Sequence, residues 1–476
     1  MGAAGYEIGN APETSAELMD VLASGVTNAL DGRLDRRAYE ELSLFDYQRV
    51  YAGLPERLRK AVSDRWGAPE NDPHVVDGKF RLALHCFGNQ VVGIQPARGY
   101  NIDPKETYHD PDLVPPHNYF AFYIWLRLSF DVDAVVHLGK HGNLEWLPGK
   151  ALALSKDCFP EAVLGPVPNI YPFIVNDPGE GAQAKRRTSA VIVDHLTPPL
   201  TRAESHGVAE ELETLLDEYY LASGVDPRRL KLLTREILDA AIRHGLDRDI
   251  GLDEEMDEET RLARLAAHLC DLKELQIRDG LHILGQRPQG DQLVDLLAAL
   301  ARLPRGTEAQ QQSLQRALSR DLSFGDFDPL DCNFSLTWSG ARPDALLALT
   351  DAPWRSNGDT VERLELLCRD LIAGTRDAQP DWHETRAVLD EIGTTLRKSV
   401  LDSGPSETAA VLTALGGKFV EPAPSGAPSR GRPDVLPTGK NFYSVDVRAV
   451  PTETAWRLGW QSAGLLADRY FQDEGD

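Results

Sequence analysis

The 476-residue chain is 42% hydrophobic and 26% charged, a composition that builds folded cores and excludes a disordered chain. Its 74 acidic residues against 50 Lys and Arg leave a net charge of −24, which argues against wholesale binding to nucleic acid or anionic membrane because polyanions repel. No stretch approaches the ~20 apolar residues of a membrane span. The opening residues show no signal peptide, and five scattered cysteines without CxxC spacing fit a reducing compartment, so a cytoplasmic address is predicted.

The predicted organisation is a multi-domain α/β core with additional, mostly helical domains. Residues 1–77 read as a helix-rich, polar N-terminal segment. Residues 78–197 read as the α/β core. In it, KFRLALHCF (79–87) and QVVGI (90–94) are predicted strands around a Gly88-Asn89 turn. YFAFYIWLRLSF (119–130) is apolar almost all round and predicts a buried helix. DAVVHL (133–138), IYPFIV (170–175) and SAVIV (189–193) are short apolar runs that predict buried strands.

Residues 198–415 carry helical spacing, as in Leu212, Leu215, Leu216 and Tyr219, or Leu262, Leu265, Leu269 and Leu272. Asp359, with Glu362 three residues later, predicts the start of the helix bearing Val361, Leu364, Cys368 and Leu371. The acidic run 253–259 reads as a solvated helix start. Residues 416–440, rich in Pro, Gly and Ser, predict a flexible loop or linker, and 441–476 the start of a further, truncated segment.

Chemistry-bearing residue types are densest at His137-Leu138-Gly139-Lys140-His141-Gly142-Asn143-Leu144-Glu145-Trp146, just after a predicted strand, where ligands of open α/β sheets bind. Gly139 and Gly142 disfavour a helix and favour a loop whose backbone can approach a ligand. His137, His141 and Glu145 suit a transition metal such as cobalt or zinc, and equally suit proton removal. In the alternative reading the imidazoles only satisfy backbone groups in a tight turn.

A second cluster, Asn176 to Arg187, reads as a strand, a Gly/Pro turn and a helix start followed by Lys185, Arg186 and Arg187, able to hold carboxylates or phosphates. Its alternative is a solvated basic helix end. Arg98, Tyr100 and His109 lie in two further polar loops, and His282 reads as a satisfied, partly buried histidine. None of the GK pairs sits in GxxxxGK[ST], and GxGxxG is missing, so no nucleotide loop is read in this chain.

Three segments carry a resemblance: GIQPARGYNIDPKETYHDPDLVPPH (93–117), DAVVHLGKHGNLEWLPGKALALS (133–155) and NIYPFIVNDPGEGAQAKRRTSAVIVDHLTPPLTRAE (169–204). With IRDGLHILG, NGDTVERLELL and PTGKNFYSVDVRAVPTETAWRLGW, they closely resemble the large subunit of aerobic cobaltochelatase (CobN-type), a relative of the porphyrin-binding subunit of magnesium chelatase. The resemblance implies an ATP-dependent metal chelatase subunit that inserts cobalt(II), its substrate metal, into hydrogenobyrinic acid a,c-diamide in aerobic cobalamin biosynthesis. An AAA+ ATPase subunit and its adaptor would hydrolyse ATP-Mg, which this chain would not bind.

Within that resemblance, His137, His141 and Glu145 are the candidate catalytic and metal-binding residues, with Glu145 the leading proton acceptor. Arg98, Tyr100, His109, Lys140, Trp146, Asn176, Glu180, Lys185, Arg186 and Arg187 are the candidate macrocycle-binding residues. The alternatives are a magnesium chelatase large subunit acting on protoporphyrin IX, a non-catalytic tetrapyrrole-binding fragment, and a zinc hydrolase using His137 and His141. The family's large subunit is longer, and this chain matches a middle portion of it, as a fragment or split-gene product would.

Overall fold

The computed structural model describes residues 1–30, 36–100, 110, 112–139, 142–198, 212, 215–216, 218–219, 227–243, 246–250, 252, 256–258, 260–262, 264–265, 281–305, 313–334, 336–444 and 453–474. Within them the predicted α/β core and mostly helical remainder are both present.

The centre of the α/β part is the helix His117–Leu128. Its residues from His117 to Leu126 are all buried, which follows from a sequence apolar around the whole circumference. It packs against Tyr47, Leu58, Val62, Phe80, Leu82 and Phe159. That core unites the chain on both sides of the predicted 77/78 division. Strand β1 (Glu40–Ser43) pairs antiparallel with β3 (Lys79–Leu82), and β3 also pairs with β2 (Val75–Val76). A boundary at 77 would cut this sheet.

The predicted single strand 79–87 is two strands. Leu82 and Leu84 are both buried although Ala83 separates them, and at that point the chain leaves β3 and enters β4 (Leu84–Phe87). β4 forms a hairpin with β5 (Gln90–Gly93) across the predicted Gly88-Asn89 turn.

The parallel sheet has the order β6 (Val135–Val136), β7 (Asn169–Ile174), β8 (Val191–His195). Register runs from Val135 opposite Asn169 to Ile174 opposite His195. Alternate side chains of this sheet face two different cores. Tyr171, Phe173 and Ile192 pack with Ala184 of the helix Pro178–Thr188 and with Phe442. Ile170 and Val193 pack with Ala410 of the helix Arg397–Leu415 and with Val420. β7 and β8 are therefore covered on both faces, as their apolar runs require, whereas the run 133–138, predicted as a buried strand, forms only the two-residue edge strand β6, with Val136 and Leu138 exposed.

The helical part is built on Leu293, Leu297, Leu300, Leu314, Leu318, Leu364, Leu367, Leu371, Ile392 and Val400. The helix Asn357–Ala373 begins one turn earlier than predicted: Ser356 is the cap and accepts from Asp359 N, while the Asp359 carboxylate returns to Ser356 N at 2.8 Å. Asp359 is thus the third residue of a capping box, not the cap. The acidic run 253–259 falls mostly outside the described residues, but Asp257 does accept the Thr260 N–H at 2.9 Å.

The segment 416–440 is not a flexible linker. β9 (Pro422–Pro424) pairs in parallel with β10 (Asn441–Tyr443), and Val420, Pro428, Val435, Leu436 and Thr438 are buried. Two buried carboxylates anchor its end: Asp194 accepts the Gly439 and Lys440 N–H groups, and Glu407 accepts from Thr438 Oγ1.

The helix Glu453–Glu474 presents Trp456, Trp460, Tyr470 and Phe471 to solvent. Among the described residues no helix is long and apolar enough to cross a membrane.

Candidate functional site

The segment from Gly142 to Lys150 follows β6 in sequence, packs against the helix Pro178–Thr188 and meets β7 through Tyr171. A 3₁₀ turn at Leu144–Trp146 turns Leu144 and Leu147 into the core. The same turn buries Glu145, which is 1% exposed. Its Oε1 accepts a hydrogen bond from Tyr171 Oη at 3.1 Å. Tyr171 sits in the middle of β7, and its oxygen also accepts the N–H of Gly142.

The loop is fixed at three more points. Asn143 N–H donates to Gln95 Oε1 at 3.0 Å. Tyr119 Oη donates to Asn143 Oδ1 at 2.6 Å. Asn143 Nδ2 donates to the Pro96 carbonyl at 3.3 Å. Tyr119 and Tyr123 are stacked one turn apart on the 117–128 helix, and burial pushes both phenols up, so both stay protonated.

His137 is held from both sides. Its Nε2 lies 2.9 Å from Tyr123 Oη and its Nδ1 lies 2.8 Å from Asn169 Oδ1. Thr188 Oγ1 donates to the Ala184 carbonyl and so accepts from Asn169 Nδ2, which turns Asn169 Oδ1 toward His137; Nδ1–H therefore donates to Asn169, and in the neutral ring Tyr123 Oη donates to the bare Nε2. Asn169 Nδ2 continues to Thr188 Oγ1 at 2.9 Å. Burial lowers the His137 pKa, in keeping with this neutral tautomer. His137 therefore differs from the expected open metal ligand: both nitrogens already have protein partners. Among the described residues no group of three His, Cys, Asp or Glu side chains is disposed to hold a metal. His141 and Lys140, like His109, lie outside the described residues.

The cations of the 178–188 helix divide. Arg187 turns inward and donates to three successive points of the loop backbone: Nη1 to Glu145 O at 2.7 Å, Nη2 to Leu147 O at 2.6 Å and Nε to Lys150 O at 3.1 Å. Burial lowers its pKa to about 10, so it remains charged at neutral pH. Lys185 and Arg186 are half-buried; Lys185 Nζ donates to Asn441 Oδ1, and Arg186 to Gln183 Oε1. Arg98 is buried and donates to the Asp110 and Leu113 carbonyls, close enough to Arg187 to help lower its pKa. Predicted anion-binding arginines thus spend much of their donor capacity on backbone oxygens, which a row of charges in the sequence cannot reveal.

The structure brings Glu145, Arg187 and Arg98 into one neighbourhood and takes other candidates elsewhere. Tyr100 donates to Asp72 Oδ2 at 2.8 Å with its ring edge-on to Trp66. Trp146 turns from the loop into a core of Leu212, Leu216, Ile237 and Leu265. Asn176 is half-buried in the turn after β7, and Glu180 is buried in the first turn of the next helix.

Tyr171, Tyr119, Tyr123 and Asn169 are not singled out by the sequence reading, and Gln95 and Asn143 fall in its candidate segments without a role. The tyrosines were hidden in runs read only as apolar. The spacing of Tyr119 and Tyr123, one helical turn apart, was the available signal.

A Cys158 thiol completes the surroundings. It accepts the Lys150 and Ser155 N–H groups at 3.4 and 3.5 Å. Burial raises its pKa, but these donors and the Lys150 charge outweigh burial and leave it below the usual thiol value.

The CobN/magnesium chelatase family model matches residues 1–476. The chain is 57% identical to an aerobic cobaltochelatase subunit CobN of a Sinorhizobium species, aligning over 100% of itself and 39% of that protein. It is 52% identical to the Pseudomonas aeruginosa CobN subunit over 99% of itself and 38% of the relative. Against the chloroplastic magnesium-chelatase subunit ChlH of Oryza sativa subsp. indica, identity is 28%, over 98% of this chain and 34% of the relative. Among solved structures, the catalytic subunit of cobaltochelatase from Mycobacterium tuberculosis matches with a TM-score of 0.61 and 37% identity, covering 99% of this chain and 39% of that one. The chain thus spans well under half the length of these relatives, yet the match runs through every element described above, and the protein belongs to the CobN/magnesium chelatase family.

Proposed function

We propose that this chain forms the macrocycle- and metal-handling part of a cobalt-inserting chelatase, with cobalt(II) and hydrogenobyrinic acid a,c-diamide as substrates. The observation that carries this reading is the identity to two aerobic cobaltochelatase subunits, 57% and 52%, about twice that to the rice magnesium-chelatase subunit.

In this reading Glu145 is the proton acceptor. Inserting a metal into a tetrapyrrole-derived ring breaks ring N–H bonds, forms metal–nitrogen bonds and leaves protons to be carried away. A carboxylate in a shielded loop is suited to take such a proton. The loop carrying it is tied at several points: Arg187, Gln95, Tyr119 and Tyr171 each hold a different part of it. His137 takes the part of a neutral scaffold for this wall, and His141, next to the loop, is the proposed histidine for transient metal contact. Lys140, His109, Lys185 and Arg186 supply positive charge for the peripheral carboxylates of an acidic ring, with buried Arg98 adding its charge from behind and Asn176 and Glu180 in the turn that leads to Lys185; Tyr100 and Trp146 pack in other parts of the fold and take no part in this wall.

ATP-Mg would be used by an AAA+ ATPase subunit and its adaptor in the cytoplasm, since this stretch carries no GxxxxGK[ST] loop. The test is reconstitution of the chain with those subunits and the remaining large-subunit sequence. Cobalt insertion into hydrogenobyrinic acid a,c-diamide is followed against magnesium insertion into protoporphyrin IX. Cobalt insertion into the first is the expected outcome. Preference for protoporphyrin IX and magnesium overturns the cobalt assignment, and macrocycle binding without insertion of either metal reduces the chain to a binding scaffold.

A further inference from the structure

We infer that Tyr171 is a positioning residue for Glu145, holding its carboxylate and the backbone of its loop in one geometry. The inference rests on the reading of Glu145 as proton acceptor and extends it to a residue on a different strand.

Three observations converge. The phenol donates to Glu145 Oε1 at 3.1 Å and accepts the Gly142 N–H, so one oxygen ties both ends of the tetrad 142–145. The ring is 1% exposed and wedged between Phe173, at 5.1 Å between centroids, and His137, at 5.8 Å. Its position is therefore set by the parallel sheet and not by the loop. The fit is also close on the loop side: a Cβ added at Gly142 would stand 2.7 Å from Tyr171 Oη, nearer than such atoms approach. Glycine at 142 is what lets the backbone reach the phenol.

The chemistry follows from the donor. A hydrogen bond from a neutral phenol to a carboxylate favours the ionised form, which is the form able to accept a proton. It also fixes the direction in which the second carboxylate oxygen points. Tyr171 would make no bond to macrocycle or metal; it would act through Glu145.

The test is Tyr171→Phe in the reconstituted chelatase, with Gly142→Ala as a second variant that disturbs the same contact from the loop side. Phenylalanine keeps the ring packing and removes only the hydroxyl. The maximal metallation rate is expected to fall about tenfold or more, the scale of a lost charge-assisted hydrogen bond. The macrocycle KM should stay within about twofold, and the acid limb of the pH–rate profile should move to higher pH. In the double variant with Glu145→Gln, the two losses should not add.

If Glu145→Gln is inactive while Tyr171→Phe keeps both the wild-type rate and the wild-type pH profile, Tyr171 only packs and the inference fails. A Tyr171→Phe enzyme whose rate falls with no movement of the pH profile also overturns it. An active Glu145→Gln enzyme instead removes the reading of Glu145 on which it stands.

Discussion

The Glu407 carboxylate accepts a hydrogen bond from His282 Nε2 at 2.8 Å, joining two side chains 125 residues apart. The same carboxylate accepts from Gly285 N, Leu196 N and Thr438 Oγ1, so one buried acid ties the end of β8, the 281–285 segment and the 436–440 loop to the 397–415 helix. Burial pushes the Glu407 pKa up, but His282, the Gly285 N–H and the Thr438 hydroxyl together outweigh it and leave it below the usual value. A depressed carboxyl stabilises the fold above its unfolded pKa, and that contribution is lost as pH falls through the folded one. Glu407→Ala leaves three donors and an imidazole without their acceptor and should cost about 3–5 kcal/mol at neutral pH. Thermal melts should show the gap from wild type narrowing as pH drops below the ordinary glutamate range. An equal gap at neutral and acid pH would remove Glu407 from this role.

Asp194 works in the opposite direction. It is fully buried on β8, and its Oδ1 accepts the Gly439 and Lys440 N–H groups at 2.8 and 2.7 Å. Burial first, with the neighbouring Glu407 charge adding to it, raises its pKa to about 7 despite these donors and the Lys440 charge. A raised acid holds a proton in the fold that the unfolded chain has released. Its stabilising effect is complete below the unfolded pKa and is lost as pH rises toward about 7. Asp194→Asn keeps an oxygen for both N–H groups and removes the ionisation. Its melting temperature should decline less than that of wild type between about pH 5 and pH 8. Parallel declines would place the titration elsewhere.

What could be read in the sequence was what periodicity encodes. The 117–128 helix declared itself because it is apolar on every side, and β7 and β8 because they are apolar runs between turn residues. The break at Ala83 could not be read, because a strand that changes sheets still shows an unbroken apolar run. The segment 416–440 carries a linker's composition, and nothing in it announces that Asp194 and Glu407 wait elsewhere to receive its N–H and hydroxyl groups. The site was legible as a loop, from its glycines, His137 and Glu145. It was not legible as a network. Whether Arg187 faces a ligand or the carbonyls of 145–150 depends on helix orientation, and whether Tyr171 is core or site depends on where its oxygen ends.

Glu145→Gln tests the proposed role of Glu145 as proton acceptor with the least disturbance. Glutamine has nearly the same shape, and its carbonyl oxygen can still accept from Tyr171 Oη. Folding should be preserved, with a melting temperature within a few degrees of wild type, while metallation in the reconstituted complex falls by about 100-fold or more, the scale of a lost general base. Macrocycle binding, followed by absorbance, should be largely retained. Unchanged turnover would take Glu145 out of the mechanism.

Arg187→Lys separates charge from geometry at the base of the same loop. The guanidinium reaches the Glu145, Leu147 and Lys150 carbonyls at once because its planar fork directs several N–H groups in fixed directions. A lysine ammonium keeps the charge near Glu145 but cannot span all three carbonyls, so it gives up at least one of these bonds, two of which are to buried oxygens. The cost should be about 1–3 kcal/mol for each acceptor stranded, read as a lower denaturation midpoint. Hydrogen exchange should quicken at the 144–150 amides before it does in β7 or β8, because the sheet does not depend on this clamp. If the charge alone mattered, Arg187→Lys would melt and exchange like wild type, and Arg187→Gln alone would loosen the loop.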